Sequence, residues 1–244
     1  MTSPSYPGDN SAKQLDDLRA NAQQRTEIDA ALIDLFAPED DALKAAIAAG
    51  QDANMPPIQI SPLEGRLLQV LAAACGARKI LEIGTLAGYS SIWLARALPA
   101  DGKLISLEMS EKHAAVARAS LARADMSDRA EVRVGPAIES LPGLTDEAPF
   151  DLIFIDADKT GYLAYLDWAM KLSRPGSIIV ADNCIRGGKP LRATTDDDPD
   201  TQALGNYDRL VASDARLVSV ALPIDNDGTD GFAISVVVTS AKNE

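Results

Sequence analysis

The fold of this chain is decided by residues 81–90, which read Leu-Glu-Ile-Gly-Thr-Leu-Ala-Gly-Tyr-Ser. A short apolar run ends at Gly84, and Gly88 follows four residues later, just before a helical segment. A glycine turn between a strand and a helix lets a ligand approach the backbone near the helix N-terminus. The stretch is not the dinucleotide fingerprint G-x-G-x-x-G, because Leu86 stands where its second glycine belongs. It therefore predicts either a ligand site that seats no pyrophosphate or a plain turn that needs glycine for steric reasons.

Strand-like and helical segments alternate along the chain from residue 78 onwards. This alternation predicts an α/β fold with a parallel sheet and helices on both faces. The last two strands are separated by only eight residues, Pro223 to Asp230, too few for a helical crossover, so this pair is predicted to be antiparallel. The predicted strands are 79–83, 103–107, 131–134, 151–155, 177–181, 216–222 and 231–238, and the predicted helices between them are 89–98, 110–124, 160–172 and 200–213.

An acidic side chain falls at the tip of the second predicted strand. Glu108 lies 24 residues after Gly84, where a carboxylate can accept hydrogen bonds from ribose hydroxyls. The alternative is a solvated surface glutamate that precedes a helix. Together with the glycine turn, Glu108 favours an adenosine-type cofactor. Leu86 favours S-adenosylmethionine (SAM) over NAD, because SAM has no phosphate to seat.

Polar side chains also follow the fourth and fifth predicted strands. Asp156 comes directly after the fourth strand, and Asp182 and Asn183 come directly after the fifth. Tips of parallel strands share one edge of the sheet, so these two carboxylates and one amide can converge. Such oxygen ligands suit Mg²⁺, Mn²⁺ or Ca²⁺, with waters completing the shell. The competing interpretation is structural: Asp158 could cap the next helix, and Asp-Asn could be an ordinary turn.

Lys159 lies three residues after Asp156. A dication and a sulfonium beside it would both oppose its protonated form. A neutral lysine could then take a proton from a hydroxyl. The alternative is a surface lysine that balances the neighbouring aspartates.

The N-terminal quarter of the chain is predicted to be helical, within a chain of one domain. Gly50 is expected to end the second helix, and Ser61 and Glu64 have the spacing of a capping box that opens a third helix reaching about Cys75. The predicted segments are a frayed end at 1–12, helices at 13–36 and 39–49, a loop at 51–60, and the α/β core at 61–244.

Composition narrows the class of protein. The 244 residues include 23 basic and 36 acidic side chains, a net charge of −13. Such a surface repels phosphate backbones and anionic membranes, so neither nucleic acid nor a membrane is an expected partner. A single histidine, His113, and two cysteines exclude most zinc sites and a disulfide framework. Without an export signal or an apolar run of membrane-spanning length, a cytoplasmic enzyme is predicted.

Together these motifs resemble the cation-dependent O-methyltransferases, which include catechol and caffeoyl-CoA O-methyltransferases. The resemblance covers about residues 55–240 and rests on 82–85, 88–90, Glu108, 135–137, 154–159 and 182–183. It implies a class I methyltransferase fold: a seven-stranded, mostly parallel sheet whose last strand is antiparallel. It further implies that the helices at 13–49, within an N-terminal cover of residues 13–60, lie over the acceptor site and that the protein is a homodimer.

The resemblance also implies roles for individual residues. Asp156, Asp182 and Asn183 would hold Mg²⁺, which chelates vicinal oxygens of a small aromatic acceptor, and Lys159 would be the general base. The SAM site would be lined by Ile60, Glu82, Gly84, Thr85, Ser90, Glu108, Ala137 and Asp158.

The chain departs from the plant enzymes after Asn183. It reads Cys-Ile-Arg-Gly-Gly-Lys over 184–189, where the plant enzymes carry an aromatic residue, so a CoA-thioester substrate is not implied. Arg186 and Lys189 could meet an acidic acceptor or be solvated loop charges.

Two other functions remain as alternatives. An NAD-dependent oxidoreductase is disfavoured by Leu86, and a non-catalytic binding protein by the presence of Lys159.

Overall fold

A computed structural model of the protein describes residues 10–224 and 228–239, with the backbone alone for residues 10–22. The helices are α1 Asn10–Phe36, α2 Asp41–Asp52, α3 Pro62–Ala74, α4 Tyr89–Ala97, α5 Glu111–Arg123, α6 Ala137–Ser140, α7 Tyr162–Leu172 and α8 Pro199–Ser213. The strands are β1 Lys79–Ile83, β2 Lys103–Glu108, β3 Ala130–Val134, β4 Phe150–Ile155, β5 Ser173–Ala181, β6 Leu217–Pro223 and β7 Gly231–Val237. Within this described part of the chain, every helix is too short or too polar to cross a lipid bilayer.

The seven strands form one sheet in the order β3-β2-β1-β4-β5-β7-β6. Strands β1 to β5 are parallel, whereas β7 runs antiparallel to both β5 and β6. The predicted α/β class and the antiparallel last pair are therefore confirmed. Ile83 pairs with Leu107 and Ile155, and Ile155 pairs with Ala181. This register brings the carboxyl ends of four strands to one edge of the sheet.

The sheet has a hydrophobic core on each face. All six residues of β4 are buried, as a central strand covered on both sides requires. Leu152 and Phe154 pack in a cluster with α3, α4 and α5. Ile153 and Ile155, which point the other way, pack in a cluster with α7 and α8.

The N-terminal helices differ from their predicted bounds, and α2 begins at Asp41 rather than at residue 39. Helix α1 begins at Asn10, so Asn10–Ala12 are helical, and the rest of the predicted frayed end lies outside the described residues. Helix α2 continues to Asp52, and Gly50 is a buried interior residue rather than its C-cap. A Cβ at Gly50 would lie 3.3 Å from the Cβ of Ala87, so this glycine permits close packing of α2 against the turn after β1. The predicted Ser61–Glu64 capping box is confirmed.

A short helical segment between β3 and β4 was not predicted from the sequence. Helix α6 is followed directly by a 3-10 helix, Leu141–Glu147. Leu141 and Leu144 are buried in the second core cluster. Two apolar side chains in a stretch that also contains Pro142 and Gly143 give too weak a periodic signal to be read from the sequence.

Candidate active site

A cavity of about 740 Å³ opens at the carboxyl edge of the sheet. It lies beyond the ends of β1, β2 and β4, and residues 56–60 form part of its wall. Seven of the eight residues predicted for the SAM site line it: Ile60, Gly84, Thr85, Ser90, Glu108, Ala137 and Asp158. We call this space the donor cavity.

The glycine turn shapes the floor of the donor cavity. Gly84 has a φ of +93°, and a Cβ there would lie 2.0 Å from the backbone oxygen of Asp156. Gly88 has a φ of +86° and precedes α4, where a Cβ would lie 3.2 Å from the backbone of Ala117. Both glycines are thus required by conformation and by close approach, as the steric interpretation of this turn predicts, and Gly84 also lines the donor cavity.

Glu108 closes one side of the donor cavity. Its Oε2 accepts a hydrogen bond from the amide of Leu86 at 3.0 Å, and its Oε1 accepts one from the amide of Ser110 at 2.9 Å. His113 Nδ1 lies 3.5 Å from Oε1. The carboxylate is therefore fixed at the cavity wall, where its remaining lone pairs can receive ribose hydroxyls.

The eighth predicted residue, Glu82, lies beneath the cavity instead of lining it. Its side chain is fully buried and accepts hydrogen bonds from the hydroxyls of Ser90, Ser91 and Ser106, the first at 2.6 Å. Burial raises the pKa of Glu82, and the three hydroxyl donors oppose that effect. Since Ser90 itself lines the cavity, Glu82 supports the site through its serine partners.

The structure brings Asp156 and Asp182 together as the sequence predicted. The amide of Asp156 donates to Ile83 O at 2.8 Å and that of Asp182 to Ile155 O at 3.0 Å, so the sheet ladder continues into both residues. Burial raises the pKa of Asp182 well above its ordinary value, and the charge of Asp156 raises it further. Asn183 has a φ of +59° and donates its amide to Asp230 Oδ2 at 3.0 Å. This bond leaves the Asn183 carbonyl oxygen available as a ligand.

These three residues fit a hard divalent cation by the chemistry of their donors. Two close carboxylates repel each other in a buried place, and a cation between them would remove that repulsion. Within the described residues, no group of three His, Cys, Asp or Glu side chains is arranged to hold a metal. The set of Asp156, Asp182 and Asn183 therefore needs water or substrate oxygens to complete a coordination shell.

Lys159 lies beside Asp156, and both residues line the donor cavity. Its side chain is 9% exposed, which argues against the alternative of a solvated surface lysine. Nζ donates to Asp156 Oδ1 at 2.9 Å and to the hydroxyl of Tyr162 at 2.8 Å. Asp158 makes no side-chain cap to the helix after it; its carboxylate accepts hydrogen bonds from Tyr165 and Thr160.

A second cavity of about 780 Å³ adjoins the donor cavity across Ile60, Tyr89 and Asn183. Its wall includes Asp182 and Asn183 together with side chains from α1 and α2, namely Thr26, Asp29, Ala30, Ile33 and Ile47. We call it the acceptor cavity. Two basic residues of the loop after β5 were considered as contacts for an acidic acceptor. Arg186 lines the donor cavity, and its guanidinium lies 3.9 Å from Asp200 Oδ2. Lys189 is exposed.

Sequence reasoning missed two residues that organise this site. Asp230 accepts hydrogen bonds from Asn183 Nδ2 and from the amides of Ile185 and Arg186, so it fixes the turn after β5. Its position just before β7 in an Asp- and Gly-rich turn gave no hint of this. Tyr162 was given no role in the sequence analysis, although its i, i+3 spacing from Lys159 is compatible with a contact. Burial raises the pKa of Tyr162 well above its ordinary value, so it remains a phenol.

Comparison with known proteins gives one consistent family. The O-methyltransferase family model matches residues 13–234. A catechol O-methyltransferase from Niastella koreensis is 45% identical over 220 residues, covering 89% of this chain and 99% of that protein. An O-methyltransferase from Bacillus cereus, solved in complex with SAH, superposes with a TM-score of 0.83 at 43% identity, over 88% of this chain and 99% of that one. TomG from Streptomyces achromogenes, an O-methyltransferase involved in tomaymycin synthesis and solved with SAM, gives 0.84 at 37% identity, over 89% and 99%.

Proposed function

This chain belongs to the SAM-dependent O-methyltransferase family, and we propose that it methylates a hydroxyl of a small catechol-like acceptor with the help of a divalent cation, preferably Mg²⁺. The observation that carries the proposal is the position of Asp182, Asn183 and Lys159. Asn183 lines both cavities, Asp182 lines the acceptor cavity, and Lys159 lines the donor cavity. The polar cluster therefore stands where a donor and an acceptor would meet. Family membership argues against the alternatives of an NAD-dependent oxidoreductase and a non-catalytic protein.

The donor cavity would orient SAM, which supplies an electrophilic methyl group on a sulfonium. Glu108 would receive the ribose hydroxyls, and Ser90 would face the amino-acid end of the molecule from the first turn of α4. Gly84 lets the ligand lie against the backbone. Displacement at a methyl group requires donor, methyl and acceptor in line, so this orientation contributes much of the rate.

The acid cluster would hold the cation. Asp156, Asp182 and Asn183 offer three oxygen ligands, and the chemistry that a bound cation supplies is polarisation and orientation of the acceptor hydroxyl. A catechol suits this arrangement because its two adjacent oxygens can occupy neighbouring ligand positions. The named activity of the Niastella koreensis relative supports the same acceptor class.

Lys159 would remove the proton of the acceptor hydroxyl. Its Nζ is held by Asp156 and Tyr162 on the wall of the donor cavity, close to where the methyl group would be transferred. A positioned base of this kind typically contributes about 100-fold to 10,000-fold to the rate.

Metal removal tests this proposal. We expect methyl transfer from SAM to catechol to stop when the protein is treated with a chelator and to return on addition of Mg²⁺. Binding of SAM, followed by calorimetry, should survive the same treatment, because none of the eight residues assigned to SAM is one of the three metal ligands, although Asp156 and Asn183 also border the donor cavity. An enzyme that methylates catechol equally well with and without chelator would contradict the metal-dependent mechanism.

A further inference from the structure

Tyr162 is fully buried, and its hydroxyl lies at the meeting point of three groups. It donates towards the backbone oxygens of Asp182, at 3.1 Å, and Ile155, at 3.3 Å, and it lies 2.8 Å from Lys159 Nζ. A phenol has one proton, and backbone carbonyls can only accept. The phenol proton is therefore used by the strand tips, and the oxygen faces Lys159 as an acceptor.

These hydrogen bonds fix the directions of the N–H bonds of Lys159 Nζ. One N–H is directed to Asp156 Oδ1 at 2.9 Å and a second to the oxygen of Tyr162. A tetrahedral amine nitrogen carries Cε and three other positions, so one position remains after these two bonds. In the neutral amine that position is the lone pair, and it is directed away from both Asp156 and Tyr162.

We propose that Tyr162 is a positioning residue for methyl transfer: by accepting one N–H of Lys159, it turns the lone pair of the amine towards the acceptor hydroxyl. This inference rests on the proposed function, because it requires Lys159 to be the base. In the step itself, the acceptor oxygen passes its proton to that lone pair and forms a bond to the donor methyl carbon. The electron pair of the broken carbon–sulfur bond stays on sulfur.

The chain offers a matched control for this role. Tyr207 on α8 packs edge-to-face against Tyr162, with ring centroids 5.6 Å apart, and it is equally buried. Among the described residues, its hydroxyl has no hydrogen-bond partner. Tyr207→Phe thus removes a buried phenol oxygen from the same aromatic pair without removing a contact to Lys159.

The test compares Tyr162→Phe, Tyr207→Phe and Lys159→Ala with catechol and with nitrocatechol as acceptors. Nitrocatechol is the more acidic acceptor and reaches the site already ionised, so it needs no base. We expect Tyr162→Phe to lower kcat on catechol about tenfold, the effect of one hydrogen bond. The loss should largely vanish on nitrocatechol, with unchanged SAM affinity by calorimetry. Tyr207→Phe should behave as the unmodified enzyme on both acceptors.

The double variant gives a second readout, because a purely structural role of Tyr162 would leave the losses of kcat from the two substitutions additive. If Tyr162 acts through Lys159, Tyr162→Phe should cause no further loss of kcat in a Lys159→Ala background. Equal losses on both acceptors, additive losses in the double variant, or identical behaviour of Tyr162→Phe and Tyr207→Phe would overturn the positioning role alone. Near-normal turnover of catechol by Lys159→Ala would instead overturn the base assignment in the proposed function.

Discussion

Gly84 is a single backbone position that sets how closely the tips of β1 and β4 approach. Its positive φ disfavours any side chain, and the backbone oxygen of Asp156 occupies the place of a Cβ. Gly84→Ala must therefore move Asp156, which we assign to the metal. We expect a loss of about 3 kcal/mol or more in the free energy of unfolding, measured by urea denaturation, together with weaker SAM binding.

The matched control for Gly84→Ala is Gly143→Ala. Gly143 is exposed in the 3-10 helix after α6, and a Cβ there would have no neighbour within 4 Å. We expect that variant to lie within about 0.5 kcal/mol of the unmodified protein. Equal stabilities of the two variants would mean that the strand tips can separate at little cost.

At the scale of secondary structure, the capping box of α3 connects the fold to both cavities. Ser61 Oγ accepts from the amide of Glu64 at 3.3 Å, and the Ser61 amide donates to Glu64 Oε2 at 2.7 Å. The loop that ends here carries Ile60, which lines both cavities. Ser61→Ala should lower the free energy of unfolding by about 1 kcal/mol, because it removes an N-cap. The Ser140 hydroxyl donates to Pro136 O in the same turn, and Ser140→Ala should change stability by less than about 0.5 kcal/mol.

The elements that sequence predicted correctly are those with a strong local signal. Strand β4 was recognised because an apolar run, residues 152–155, is followed by a cluster of aspartates. Helix α3 was recognised because Ser61, Pro62 and Glu64 each mark a helix start. Gly50 was misjudged because its role depends on Ala87, a contact across 37 residues that no local pattern reports. The position of Glu82 beneath the cavity was missed for the same reason: its partner Ser106 lies on the neighbouring strand.

At the scale of the whole molecule, the candidate site residues lie at one edge of the sheet, and the two hydrophobic cores pack against the two faces of that sheet. The first core packs α3, α4 and α5 under the donor side, and the second packs α7 and α8 behind Lys159 and Tyr162. Residues predicted from separate motifs meet there because the parallel register aligns their strand ends. The convergence of these strand-end residues was therefore predicted from the order of elements, and the full set of SAM-site residues from the family resemblance. The contacts of Lys159 with Tyr162 and of Asn183 with Asp230 needed the folded structure.

Asp208 on α8 makes the stability of the whole molecule depend on pH. Burial raises the pKa of its carboxyl from 3.8 to about 6, and neither carboxylate oxygen has a hydrogen-bond partner among the described residues. Because the folded state holds this proton more tightly than the unfolded state, its contribution to stability is full below the unfolded pKa of 3.8 and is lost as pH rises through about 6. Two pKa units correspond to about 2.7 kcal/mol, and partial solvent screening reduces this to about 1–2 kcal/mol.

Replacing Asp208 tests this dependence directly. Asp208→Asn should be more stable than the unmodified protein by about 1–2 kcal/mol above pH 7, and this gain should shrink as the pH falls through about 6 and be lost below about pH 4, where Asp208 becomes protonated in the unfolded state as well. Urea denaturation at several pH values measures the difference. The exposed Asp196 provides the control, since Asp196→Asn should give a small difference, within about 0.5 kcal/mol, that does not vary with pH. A gain for Asp208→Asn that is constant from pH 4 to 7 would show that the substitution acts by packing rather than by removing a buried charge.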